Sequence, residues 1–177
     1  NILEVGALQY LEGRNTDDSY IRRLISYHNI NNAGESVYLP VLAQVLKTQK
    51  HLEKIEKPIL RLIYQNILDE VFQELGVYSI VMLEENSTDF AMLLYWKREL
   101  AYEREVISNK LESFRILSFR VLMTTMAIYC GNVCGPAELP KYSLPLFQAQ
   151  RDNVRQESRV FLPRENEKEA GSNSYKL

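Results

Sequence analysis

The chain has 177 residues, 46% of them apolar and 25% charged, enough apolar material to bury a core without disulfides or metals. Its 21 basic and 23 acidic residues leave a formal net charge of −2, which excludes a strong global pull toward nucleic acid or an anionic membrane. Two cysteines exclude a disulfide framework, and no apolar run reaches the roughly 18 residues of a membrane span.

Ile2, Leu3, Leu8 and Leu11 fall at helical spacing, and Gly13 ends that segment. No secretory signal pattern is visible there, because Glu4, Gly6 and Gln9 break the apolar run and no basic leader precedes it. Together with the cysteine usage this places the chain in a reducing compartment, cytoplasmic or nuclear. Thr16-Asp17-Asp18-Ser19 supplies oxygens and negative charge suited to a second helix start. Residues 29–36 hold three asparagines and a glycine and are predicted to be a loop.

Ser36 is predicted to cap a third helix, with Pro40 in its first turn and Leu39, Leu42, Ala43, Leu46 and Leu52 on its inner face. Pro58 then starts or kinks the next helix. Its stripe is the cleanest in the chain: Leu60, Ile63, Ile67, Leu68, Val71, Phe72 and Leu75, stopped by Gly76. Val77–Leu83 fits a buried strand or a helical turn, and helix or irregular structure is preferred because a lone strand has no partner.

From Val77 to Cys130 the chain contains neither glycine nor proline, and an apolar run without such punctuation reads as helix. Asn86-Ser87-Thr88-Asp89 is predicted to cap a helix carrying Phe90, Leu93, Leu94, Trp96, Leu100 and Ile107. Ser108-Asn109 would divide it from a core helix that is apolar on all sides from Ile116 to Cys130. Beyond Pro136 the texture turns polar and rich in proline, with Glu165 to Leu177 mobile.

The predicted fold is all-α: an irregular bundle of five or six helices, or helical-hairpin layers, with the Ile107–Cys130 helix at its centre. The domain reading is a helical body over 1–135 and an extended tail over 136–177, with one short helix at 146–160.

Chemistry-bearing patterns are sparse. Cys130 and Cys134 would share a face of a continuous helix, but zinc needs four ligands and His28 and His51 lie far off, so both thiols read as small apolar groups packing a helix end. No catalytic Ser-His-Asp order, phosphate-cradling glycine loop or His-Glu-x-x-His occurs. The Asn86-Ser87-Thr88 glycosylation pattern reads as a cap. Lys47, Lys50, Lys54 and Arg61 line successive turns as a possible basic patch, diluted by Glu53 and Glu56; Arg151, Arg155 and Arg159 form a weaker stripe. Tyr142, Leu144, Leu146 and Phe147 are large apolar side chains in a polar segment, which either fold back on the body or dock in a partner's groove.

The expected function is a non-catalytic protein-protein interaction or scaffold subunit of a larger intracellular assembly, without cofactor or metal, with another protein as partner. Two alternatives are a helical nucleic-acid-associated protein using the basic patch and a secreted four-helix signalling bundle.

Overall fold

The computed structural model describes residues 2–28, 36–47, 49–154 and 156–163. Among the described residues there are six α-helices and five strands. In chain order they are α1 Ile2–Leu11, α2 Ser19–His28, β1 Ser36–Val45, α3 Lys50–Glu53, α4 Lys57–Phe72, β2 Tyr78–Leu83, β3 Phe90–Lys97, α5 Arg104–Leu122, β4 Met126–Cys130, α6 Leu139–Asp152 and β5 Val160–Phe161. The strands form one sheet of order β2-β3-β1-β4-β5, antiparallel except for the β4–β5 pair.

Side chains alternate across a strand, and here both faces are buried. One face presents Leu39, Val41 and Ala43 of β1, Val81 of β2, Phe90, Met92, Leu94 and Trp96 of β3, and Met126, Ile128 and Cys130 of β4 to α3, α4 and α5. The other presents Tyr38, Leu42, Ile80, Met82, Leu93, Tyr95, Ala127 and Tyr129 to α1, α2 and α6. The molecule is a three-layer α/β/α sandwich.

The sheet overturns the all-α expectation. Ser36 begins β1 and caps no third helix, and Val77–Leu83 resolves into β2. The segment from Phe90 begins as β3, and the core helix stops at Leu122, after which Met126–Cys130 is a strand. Ser108-Asn109 divides nothing and lies inside α5. The reason is burial on both faces: such strands read as unbroken apolar runs with no period of two, and unbroken runs match helical spacing equally well. The extended tail is corrected too, since α6 spans Leu139–Asp152 and buries Leu139, Ser143, Leu146 and Ala149 against the second face. The predicted loop at 29–36 lies, except for Ser36, outside the described residues, as do Arg155 and the segment 165–177.

Other local readings stand. Gly13, at φ 74°, closes α1 while the Arg14 N–H donates to the Gln9 carbonyl. The Asp17 carboxylate accepts from the Ser19 N–H at the start of α2. Pro58 sits in the first turn of α4, and Gly76, at φ 65°, follows its end.

Pro40 lies in a central strand, where proline is rare. In β1 the even-numbered residues turn their backbone groups toward β4, as Tyr38 does with Cys134 and Leu46 with Thr125. The missing N–H of Pro40 therefore falls where Gly131–Val133 interrupts the β4 ladder. Gly131 donates to the Pro40 carbonyl at 2.9 Å, and a Cβ there would stand 2.8 Å from Pro40 Cγ, so only glycine fits.

The β2 edge is covered by α4, which limits unwanted strand pairing. The Gln65 amide donates to Ser79 O at 3.0 Å and accepts from Val81 N at 3.1 Å, replacing a neighbouring strand. Arg61 of α4 pairs with Glu4 of α1 at 2.7 Å, joining the two helical layers.

Candidate functional site

The residues singled out in the sequence scatter. Leu146 is in the core, and Tyr142 and Phe147 are half-buried against the same face. Leu144 is exposed and closes over Gly13. Tyr142 and Leu146 also line a cleft of about 140 Å³ with Cys130, Gly131, Asn132, Lys141, Pro145 and Pro163. Cys130 and Cys134 are buried on opposite faces of the sheet, and burial pushes both thiols up to about 12, far from a reactive thiolate. A shallow groove of about 600 Å³ between α4 and α5 is lined by Glu70, Val71, Gln73, Glu74, Lys110, Ser113 and Leu117, with Glu74 and Lys110 ion-paired across it.

Of the basic residues, Arg61 is held by Glu4, whereas Lys47, Lys50 and Lys54 are exposed. These three lie at the end of the sandwich where β1 runs out, β4 begins and α5 terminates. Leu46 N donates to Thr125 O at 2.9 Å. The Gln49 amide nitrogen lies 2.6 Å from Leu46 O and 2.9 Å from Thr125 Oγ1. His51 Nε2 sits 2.7 Å from Leu122 O; a carbonyl only accepts, so Nε2 carries the proton, and α3 is fastened to the last turn of α5.

That last turn is unusually apolar outside. Ile116, Phe119, Val121 and Met123 are 39%, 49%, 59% and 69% exposed. Ile116, Phe119 and Met123 follow one line along the helix, while Val121 turns toward α4. Exposed apolar side chains are ordinary singly, but four within eight residues form a patch. Arg120 lies within it, and Lys47, Lys50 and Lys54 lie on the segment that Gln49 and His51 fasten to the end of α5; none of the four joins an ion pair among the described residues.

Backbone conformation singles out the same end. Lys47 has φ 61° and Met123 φ 52°, the left-handed region that glycine occupies most cheaply. A side chain there costs about 1 kcal/mol. Two of the four such non-glycine residues among those described flank this patch.

Behind the patch a polar seam ties the end together. Asp89, at the start of β3, accepts from Val45 N at 2.7 Å and from the Gln150 amide at 2.5 Å. Gln44 accepts from Tyr129 OH at 2.7 Å and donates to Gln150 O at 3.4 Å. Lys57 donates to the carbonyls of Glu84 and Ser87 in the β2–β3 turn. Asn86-Ser87-Thr88-Asp89, expected to cap a helix, forms this turn, with Ser87 Oγ accepting from Asp89 N.

The cations are legible in the sequence and the patch is not, because Phe119, Val121 and Met123 fall within the run from Ile116 to Cys130 that reads as a core helix apolar on all sides. The signal was Arg120: a charge in mid-run marks the outer face of α5. Among the described residues no three potential metal ligands come together, and no helix is long and apolar enough to cross a membrane. No family model matches the chain, and no curated protein matches it.

Proposed function

We propose that the chain is a non-catalytic protein-protein interaction subunit of a larger intracellular assembly, and that the α5 end, with Phe119 and Met123 at its centre, is where it meets its partner. The observation that carries this reading is the apolar patch itself, 49% exposed at Phe119 and 69% at Met123, with Met123 and the neighbouring Lys47 in backbone conformations that favour glycine. A side chain as exposed as that of Met123 packs little of the fold and is open to a partner. Cys130 and Cys134 are buried in separate cores on opposite faces of the sheet, which fits a reducing compartment.

A photo-crosslinking amino acid placed at Phe119 in cells tests the reading, with Leu100, 41% exposed at the opposite end of the sheet, as the control position. The expected result is a discrete adduct from position 119 and none from position 100. Equal, diffuse labelling from both would contradict it.

A further inference from the structure

We infer that the partner segment seated on this end is an acidic amphipathic helix, whose apolar face covers Ile116, Phe119 and Met123 and whose carboxylates meet Lys47, Lys50, Lys54 and Arg120. The inference rests on the interaction reading above and adds the chemistry of the occupant.

The local charge carries it. Across residues 47–56 and 119–125 there are four cations, Lys47, Lys50, Lys54 and Arg120, against two carboxylates, Glu53 and Glu56, a surplus of +2 on a chain whose net charge is −2. The local sign is thus opposite to that of the whole molecule, and charge complementarity selects a negative partner. The geometry sets its shape. His51, bonded to Leu122 O, brings α3 alongside the end of α5, and Gln49, bonded to Thr125, brings Lys47 and Lys50 with it. The cations therefore lie beside an apolar stretch, an arrangement that suits the apolar stripe of a helix with charged flanks. A phosphate backbone would leave Phe119 and Met123 exposed, and a surplus of two charges is small for holding an anionic bilayer.

The test uses the whole chain and two fluorescent 18-residue helical peptides, written with leucine at i, i+3, i+4 and i+7 and flanked either by glutamate or by lysine. Anisotropy is read at low and at physiological salt. The acidic peptide is expected to bind about tenfold more tightly than its lysine counterpart, with the difference shrinking as salt rises. Phe119→Ser should weaken both peptides, and Lys47→Glu with Lys50→Glu should remove the preference, while the thermal midpoint holds in each variant. Equal binding of both peptides overturns the acidic partner and leaves the interaction surface standing. Binding of neither peptide overturns the inference. In that case, a concentration-dependent dimer lost on Phe119→Ser assigns the surface to a second copy and preserves the broader reading. Sedimentation with vesicles of phosphatidylcholine and phosphatidylserine would instead assign it to a membrane and overturn both.

Discussion

Phe114→Ala is expected to destabilise the fold by about 3–5 kcal/mol, the range for truncating a fully enclosed aromatic ring. Phe114 is the point where α4, α5 and β3 meet. Its ring is fully buried, 6.3 Å edge-on from Phe90 and 6.1 Å from Tyr64, and Tyr64 stacks on Phe90 at 4.2 Å. Three elements fixed by sheet pairing and helix packing cannot close over the space left behind, so the upper part of the range applies. Urea unfolding should show a lower midpoint with an unchanged slope. Leu117→Ala, three residues on and half-buried, should cost about 1 kcal/mol. Equal losses at the two positions would contradict the placement of α5.

Asp89→Ala is expected to cost about 2–4 kcal/mol, because it strands the Val45 N–H and the Gln150 amide, both of which donate to this carboxylate. Asp89→Asn should cost about 1 kcal/mol or less, since its oxygen still accepts from Val45 and a rotated Gln150 amide satisfies its nitrogen. The two variants also separate by pH. Burial holds the Asp89 carboxyl above its ordinary range, against the hydrogen bonds from Val45 and Gln150 and the charge of Lys57. Glu84 is raised as well, by burial and then by Asp89. A carboxyl raised in the folded state holds a proton that the unfolded chain releases. Its contribution is greatest at low pH and declines as pH rises from the ordinary carboxylate range through the folded value. The stability of Asp89→Asn relative to the parent should therefore improve between about pH 4 and pH 7. A parent that gains on the variant over that range would contradict the burial of Asp89.

Helices with one wet face were legible in the sequence, and strands with none were not. The stripe of α4, with Pro58 before it and Gly76 after it, marks its own boundaries because its polar positions face water. Phe90–Lys97 has no polar position before its last residue, and all seven of Phe90 to Trp96 are buried. Sidedness is the periodicity signal that separates a short strand from a short helix, and a strand covered on both faces lacks it. The same error hid the candidate site. Met126–Cys130 is internal while Phe119, Val121 and Met123 are exposed, yet the two stretches read alike until the break at Met123, whose φ of 52° ends α5 without a glycine to announce it. Three of the four cations of the basic patch stay together at that end, and Arg61 leaves it because Glu4, 57 positions earlier, lies across the β2 edge.

The most direct test of the account replaces Met123 and Lys47 with glycine and measures both melting temperature and retention of whatever is crosslinked from Phe119. Glycine relieves the left-handed backbone at both positions, so the account predicts a melting temperature that holds or rises while the crosslink fades. A fall in melting temperature with the crosslink intact would contradict it, because Met123 and Lys47 would then serve the fold and not the contact.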